Sequence, residues 1–314
     1  MGLGTAPLGG LYETVDEGKA LATLERAYEL GIRYFDTAPL YGHGLAETRT
    51  GRVLRGYPRN DITLSTKVGR LLRPGEPDPD GQFKGTPKVV PIFDFSYDAV
   101  MRSFEESLQR LGIDQVDILY IHDPDDHYEA ARDGAFPALA RLRNEGVVRA
   151  IGAGMNQSEM LARFARETDM DCFLLAGRYT LLEQGALREL LPLCQERHIA
   201  IVIGGVFNSD LLANPRPGAH FNYEPASDEL LARAQKIAQV CARWDVPLKA
   251  AALQFPMGHP TVSSVLVGVR SIEHLEEDLG LFELEIPDGL WAELKERGLL
   301  DEAAPVPTSR LATR

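Results

Sequence analysis

Four side chains with acid–base chemistry lie at or just beyond the ends of predicted strands. Asp36, Lys67 and His122 each end a predicted strand, and Tyr41 follows Asp36 by five residues. Because side chains alternate along a strand, the three strand-end residues can all point into one interior. A lysine ammonium beside a tyrosine favours the phenolate and lowers the pKa of the hydroxyl. This combination suits proton transfer near neutral pH.

The reaction that needs such a group is the interconversion of a carbonyl and an alcohol. A hydride must also move, and a nicotinamide cofactor carries it because no side chain can. In this hypothesis Asp36 holds Lys67 in place, and His122 orients the substrate oxygen. Taken one at a time, the residues have ordinary structural interpretations: Asp36 as a turn cap, Lys67 as a solvated rim lysine, and His122 as a core histidine.

Strand-like and helix-like segments alternate along the chain, which predicts the elements that position these residues. Eight alternating units predict a single (β/α)8 TIM barrel over 1–314, with catalytic groups at the carboxyl ends of its strands. A doubly wound open sheet is the competitor, but residues 4–10 do not match the GxGxxG fingerprint it usually carries. The predicted strands lie at 2–8, 32–37, 62–68, 116–122, 148–154, 172–178, 200–206 and 263–269.

Local signals predict further features. Thr14 and Glu17 fit a capping box at the start of the first helix. Segments 69–96 and 208–226 are rich in proline, glycine and polar residues, and they predict long irregular loops at the C-terminal face of the barrel. Loops of that length are usually functional or mobile. Helices are predicted at 271–281 and 287–297, followed by a tail from 300.

The composition excludes several classes of partner. The formal net charge is −13, so an acidic surface argues against nucleic acid and anionic membranes. No apolar run approaches the ~18 residues of a membrane span. The three cysteines have no CxxC spacing, so we expect no metal, no disulfide framework and a cytoplasmic location. The start of the chain lacks the pattern of a signal peptide, and its first strand could begin before Met1.

The chain resembles the aldo-keto reductases. The resemblance covers nearly its whole length, including 107–112 and 265–271, and it implies that Asp36, Tyr41, Lys67 and His122 form a catalytic tetrad. The motifs that carry it are Phe-Asp-Thr-Ala-Pro-Leu-Tyr-Gly at 35–42, Ser-Thr-Lys-Val at 65–68 and Asp-Ile-Leu-Tyr-Ile-His-Asp at 117–123.

The resemblance also implies a cofactor site. Many relatives carry a Ser-Asn pair after the fifth strand, and Asn156 would serve in its place. Tyr179 would stack on the nicotinamide. Where many relatives have a glutamine on the sixth strand that holds the carboxamide, this chain has Ala176. The backbone after the seventh strand would cradle the pyrophosphate, and the end of the eighth strand with the next helix would bind the adenosine half. These residues are Gly205, Val206, Phe207, Asn208, Ser209, Gly268, Arg270, Ser271, Glu277 and Asp278.

The choice between NAD and NADP depends on cations. NADP-preferring relatives often carry a lysine and an arginine where this chain has Gly268 and His274. The resemblance therefore favours NAD. NADP stays possible through Arg270, the main cation left for a 2′-phosphate.

Within the family, three segments resemble aldose 1-dehydrogenases that act on L-fucose or D-threo-aldoses, and the related pyridoxal 4-dehydrogenase. This implies oxidation of the anomeric C1 of a sugar to a lactone, with pyridoxal oxidation or general aldehyde and ketone reduction as alternatives. His43, Asp123 and Phe83 are the expected substrate contacts, although the aspartates of the 123–125 turn could simply cap it. The three segments are 92–98, 121–125 and 178–182.

Two other functions compete with a small-molecule oxidoreductase. One is a redox-sensing subunit that binds the cofactor without turnover, and the other is a barrel isomerase that uses the same residues without cofactor. The complete set of four acid–base residues favours the enzyme. The oligomeric state stays open.

Overall fold

A computed structural model describes residues 1–222 and 224–308. Eight parallel strands, here β1–β8, close into a barrel in which each pairs with its neighbours in chain order. This confirms the predicted (β/α)8 fold. The strands are β1 Gly2–Gly4, β2 Tyr34–Asp36, β3 Thr63–Val68, β4 Ile118–His122, β5 Ala150–Met155, β6 Cys172–Ala176, β7 Ala200–Gly204 and β8 Val262–Gly268.

Register brings the candidate catalytic strands together. Asp36 on β2 pairs with Ser65 on β3, and Lys67 on β3 pairs with Tyr120 on β4. Because neighbours in register share a face, Asp36, Ser65 and Lys67 are brought onto one side of the β2–β3 pair. Residues of the opposite phase, such as Leu64 and Leu119, are buried.

Helices follow most strands, and each buries an apolar face. In the helix Tyr97–Leu111 the buried residues Val100, Phe104 and Leu111 recur at helical spacing. The helices are Glu17–Glu29, Leu45–Leu54, Tyr97–Leu111, Tyr128–Ala130, Phe136–Asn144, Ser158–Glu167, Leu190–Arg197, Asp228–Arg243, Leu248–Gln254, Ile272–Glu283 and Asp288–Glu296, with a π-helical turn at Ala131–Ala135.

The start of the first helix differs from the predicted capping box. The helix begins at Glu17, and the carboxylate of Asp16 accepts a hydrogen bond from the Lys19 amide at 3.0 Å. The assignment of Thr14 as the N-cap is therefore wrong. Aspartate caps a helix as well as threonine does, so residue type alone gave no reason to prefer Thr14 to Asp16.

The long predicted loops contain strands. In 69–96, Arg70–Pro74 pairs antiparallel with Val89–Phe93, and Arg73 forms an ion pair with Glu106 on the next helix at 3.0 Å. In 208–226, His220–Phe221 and Glu224–Pro225 form a short ladder. The prediction of two irregular loops is wrong in these segments, because the prolines and glycines beside the strands hid their pattern.

The contacts of the chain divide it into two compact units. The first comprises Met1–Met155, Arg166–Leu174 and Leu266–Leu275, and it contains all four acid–base residues. The second comprises Asn156–Ala165, Leu175–Val265 and Glu276–Arg314. Among the residues that the structure describes, no helix has the length and apolar character to cross a membrane.

Candidate active site

A buried ion pair lies at the centre of the site. The Lys67 ammonium lies 2.6 Å from Asp36 Oδ2 and donates to the Thr37 carbonyl at 2.9 Å. Asp36 and Lys67 are 2% and 1% exposed. Asp36 Oδ1 accepts a hydrogen bond from Ser65 at 2.7 Å. A buried charge is tolerated only when it is paired and hydrogen-bonded, so both charges are held in one geometry.

Tyr41 lies over this pair. The Lys67 ammonium is 4.6 Å from the centroid of its ring, and the ring meets His122 edge-on with centroids 5.7 Å apart. Gly42, the next residue, has φ +62°, and a side chain there would overlap the backbone of Gly9. The tight loop thus returns the chain so that Tyr41 reaches the barrel mouth.

His122 is the fourth member of the group, and its imidazole is kept neutral. Burial lowers its pKa well below the ordinary value, and the nearby charges of Arg70 and Lys67 lower it further. Its Nε2 lies 3.4 Å from Asp123 Oδ2. The structure therefore brings the four residues together around one point, where a neutral histidine and a tyrosine beside an ammonium can serve a substrate oxygen.

Arg70 ties the hairpin Arg70–Pro74/Val89–Phe93 to this group. Its guanidinium donates to Asp123 Oδ2 at 3.1 Å and to the His122 carbonyl at 3.3 Å, and it lies over the ring of Phe93. Burial raises the pKa of Asp123. The sequence interpretation missed Arg70, because a lone arginine inside a predicted loop carries no motif.

The three expected substrate residues lie beside the tetrad candidates. Phe83 packs near Tyr41 and His43, with ring centroids 6.1 and 6.4 Å away. His43 Nδ1 lies 2.8 Å from the Val89 carbonyl, which fixes its ring. Asp123 adjoins His122 as described. A cavity of about 300 Å³ is lined by Leu40, His43, Asp78, Gly81, Gln82, Phe83, Val90 and Pro91.

In the first unit, the expected cofactor residues lie at the end of β8 and just after it. Gly268 is exposed, and Ser271 accepts the His274 amide at 3.4 Å at the start of the helix Ile272–Glu283. Arg270 is already engaged: it lies 3.1 Å from Glu13 and donates to the Leu11 carbonyl at 3.1 Å. Glu13 was not foreseen, because it is 257 residues distant in sequence.

In the second unit, the structure contradicts the expected role of Tyr179. Its side chain is completely buried and packs against Phe255 and His259, with centroids 5.0 and 5.9 Å away. A ring with no exposed face cannot stack on a cofactor, so the prediction of stacking is wrong. Asn156 donates to the Ala176 carbonyl at 3.0 Å, which orients its amide.

The turn after β7 and the acidic pair also lie in the second unit. Gly205, Asn208 and Ser209 have positive φ angles, and Val206 is buried. The backbone N–H of Asn208 donates to the Gly205 carbonyl at 2.9 Å, so this N–H already has a partner within the turn. Glu277 and Asp278 pair with Lys249 at 2.8 and 3.0 Å, and this lysine lies 5.7 Å from the ring of Phe207.

No metal site competes with this arrangement: within 1–222 and 224–308, no group of three histidine, cysteine, aspartate or glutamate side chains could hold an ion.

Comparison with known proteins agrees with the geometry. A model of the aldo/keto reductase family matches residues 1–298. Pyridoxal 4-dehydrogenase from Microbacterium luteolum is 44% identical, covering 96% of this chain and 94% of that protein. D-threo-aldose 1-dehydrogenase from a Pseudomonas species is 45% identical with the same coverage. L-galactose dehydrogenase from Arabidopsis thaliana is 32% identical, covering 91% of this chain and 85% of that protein.

Among solved structures, the holo form of an aldo-keto reductase from Bacillus halodurans aligns with a TM-score of 0.75 and 25% identity. The alignment covers 100% of this chain and 95% of that one. The chain belongs to the aldo-keto reductase family and is an NAD(P)-dependent oxidoreductase.

Proposed function

We propose that this enzyme oxidises the anomeric C1 of an aldose to a lactone with NAD, using Tyr41 as the general base. The observation that carries the proposal is the placement of Tyr41 over the buried Asp36–Lys67 pair, with His122 at its edge. The similarity to D-threo-aldose 1-dehydrogenase and L-galactose dehydrogenase supports a sugar as substrate.

Oxidation takes a hydride from C1 and a proton from the C1 hydroxyl, and the carbon becomes the carbonyl of a lactone. A bound nicotinamide supplies the hydride acceptor. The proton goes to the oxygen of Tyr41, whose phenolate is favoured by the neighbouring Lys67 ammonium. Neutral His122 hydrogen-bonds the same substrate oxygen and orients it. Asp36 keeps Lys67 charged and in place.

Each unit by itself carries groups suited to part of a dinucleotide. In the first unit, Arg270, Ser271 and the first turn of the helix Ile272–Glu283 follow Gly268 and supply donors suited to the adenosine half. In the second unit, the left-handed residues of the 205–209 turn, which includes Phe207, curve the backbone as in anion-binding nests. Asn156 is held by the Ala176 carbonyl and would meet the carboxamide. Glu277 and Asp278 are acceptors that Lys249 already engages.

The pairing of Arg270 supports NAD over NADP. Neither Gly268 nor His274 supplies a lysine or arginine, and the guanidinium of Arg270 already has the Glu13 carboxylate 3.1 Å away. A 2′-phosphate would have to displace that carboxylate or accept its repulsion. NAD carries no such phosphate and meets no such cost.

A sugar ring needs an apolar surface and several polar partners. Phe83 offers the first, while His43 and Asp123 offer the second, and the neighbouring cavity of about 300 Å³ has room for a pyranose. Pyridoxal is the second candidate, favoured by the 44% identity to pyridoxal 4-dehydrogenase. The Asp123–Arg70 pair, which lies against His122, is also suited to the polar ring of pyridoxal.

The test is a substrate panel on the wild type and on Tyr41→Phe. We expect NAD-dependent oxidation of L-fucose, L-galactose or D-arabinose above pyridoxal oxidation and above reduction of simple aldehydes. Tyr41→Phe removes the proton acceptor, and kcat should fall by about 10²–10⁴-fold, with the Kd of NADH by fluorescence titration little changed. Tyr57→Phe, the same change outside the site, is the matched control.

Three results would overturn parts of this proposal. Near-normal turnover by Tyr41→Phe removes its role as the base. Oxidation of pyridoxal alone establishes the second candidate. Reduction of aldehydes without sugar oxidation rejects both substrates while leaving the family assignment intact.

A further inference from the structure

A line of polar side chains runs through the barrel interior away from Asp36. Ser65 Oγ lies 3.2 Å from the Tyr34 hydroxyl, which lies 3.4 Å from the Tyr120 hydroxyl. The Cys172 thiol lies 3.7 Å from Tyr120 and slightly farther, 3.9 Å, from the Ile151 carbonyl. TIM-barrel interiors are usually filled by branched apolar side chains, so this polar file requires an explanation.

The distances of Ser65 decide which partner receives its proton. Asp36 pairs with Lys67, and its Oδ1 accepts the Ser65 hydroxyl at 2.7 Å. The Ser65 hydroxyl also faces the Tyr34 hydroxyl as a donor, at the longer distance of 3.2 Å. A serine hydroxyl has one proton, and a hydrogen bond to a charged group is the stronger one, so the proton goes to the carboxylate. Between Tyr34 and Tyr120 either hydroxyl can donate, and the Cys172 thiol donates to Tyr120.

Few other groups face Asp36. From β3 come Lys67 and Ser65, and above the pair lie Tyr41 and His122. On the other side of β2, β1 is Gly2–Gly4 and carries no titratable side chain. The Asp36 carbonyl accepts from the Thr5 hydroxyl at 3.0 Å, which involves the backbone only. The Asp36 carboxylate thus pairs with the Lys67 ammonium and accepts from the Ser65 hydroxyl.

We propose that Ser65, at the end of this polar file, is a positioning residue that holds the Asp36 carboxylate aimed at Lys67. Hydrogen bonds to a charged group are the strong ones, and hydrogen-bonded chains polarise one another. Ser65 touches neither substrate nor cofactor and acts through Asp36 and Lys67 on Tyr41. The inference rests on the proposed role of Tyr41 as the base.

The test is a series of variants that each delete one heavy atom: Ser65→Ala, Tyr34→Phe, Tyr120→Phe and Cys172→Ala. Because the four variants lose similar side-chain volumes, differences between their effects reflect hydrogen bonding rather than packing. The control is Ser103→Ala, the same change at another buried serine. The Ser103 hydroxyl donates to the Arg70 carbonyl at 3.1 Å rather than to Asp36.

For Ser65→Ala we expect kcat to fall about tenfold with the KM of the sugar little changed, because Asp36 and Lys67 lose their alignment beneath Tyr41. A tenfold loss is the size expected for one lost hydrogen bond to a charged group. The effects should decline from Ser65 to Cys172. The Kd of NADH and the melting temperature serve as readouts of binding and folding.

Equal losses of kcat in Ser65→Ala and Ser103→Ala, or a change confined to KM, would overturn the proposal. So would effects that do not decline along the file. If Ser65→Ala fails to fold, Tyr34→Phe gives the same comparison without touching Asp36. Failure of the proposed function is distinguishable, because it shows as turnover by Tyr41→Phe whatever the series does.

Discussion

The surroundings of His122 determine the charge of its imidazole. Burial and the two cations beside it, Arg70 and Lys67, hold its pKa well below the ordinary value. The imidazole is therefore neutral at physiological pH and adds no third positive charge to the site, which suits the proposed role of orienting a substrate oxygen. Asp123, 3.4 Å from Nε2, is held by Arg70 on its other side.

Glu13 is the residue that we expect to control the cofactor preference. Glu13→Gln removes the carboxylate that engages Arg270, so the guanidinium becomes available to a 2′-phosphate. Since an exposed ion pair such as this one typically contributes about 0–1 kcal/mol, binding of NADPH should tighten by up to about fivefold. The measurement is the Kd of NADPH and of NADH by fluorescence titration, and the NADH value should change little.

Glu17→Gln is the matched control, because Glu17 is a nearby glutamate that pairs with Arg49 rather than Arg270. Unchanged NADPH binding in Glu13→Gln would mean that Arg270 does not face the 2′ position.

At the scale of elements, the helix Leu45–Leu54 fixes the loop that carries Tyr41. Its Glu47 is fully buried and pairs with Arg110 on the helix Tyr97–Leu111 at 2.6 Å, while also accepting from Thr66 on β3. Gly51 on the same helix lies against the backbone of Leu111. These contacts hold the helix against β3 and against the helix Tyr97–Leu111. We expect them to restrain the loop that carries Tyr41, which leads into this helix.

Two glycine-to-alanine changes test this close approach. In Gly51→Ala the new methyl group would overlap the Leu111 carbonyl, so we expect a loss of about 1–3 kcal/mol or more from overpacking. Gly280→Ala in the helix Ile272–Glu283 meets nothing within 4 Å and should stabilise by about 0.5–1 kcal/mol through helix propensity. Urea denaturation measures both, and similar values for the two variants would show that the helices can separate at no cost.

Across the whole molecule, sequence periodicity was enough to predict the barrel, because alternation of β and α segments is a property of residue order alone. The strand-end positions of Asp36, Lys67 and His122 were readable for the same reason. Contacts between distant segments were not: Arg70 with Asp123 and Arg270 with Glu13 depend on how loops fold back. The prediction that Tyr179 stacks on the nicotinamide was wrong because a resemblance in sequence indicates the type of a residue but not whether its side chain is buried.

Stability of the whole fold should decline in mild acid because of His122 and His259. Burial lowers the pKa of both below the ordinary value of about 6.5. As pH falls below 6.5, the unfolded chain takes up protons that the folded chain resists, so this part of the stability is present above 6.5 and lost as pH falls. The measurement is the free energy of unfolding in urea at pH 7.5 and 5.5.

His259→Asn should reduce that pH dependence, because one of the two histidines no longer titrates. The same drop in wild type and variant would show that His259 takes no part.

The three buried cysteines allow local opening of the structure to be measured by thiol labelling. All are free and buried, and burial raises the pKa of each thiol to about 12. Thiolates are the reactive form, so a thiol reagent can modify these side chains only when the surrounding structure opens. Cys172 belongs to the first compact unit, whereas Cys194 and Cys241 belong to the second. Each compact unit therefore contains at least one buried cysteine. The order in which the thiols are labelled shows which unit opens first.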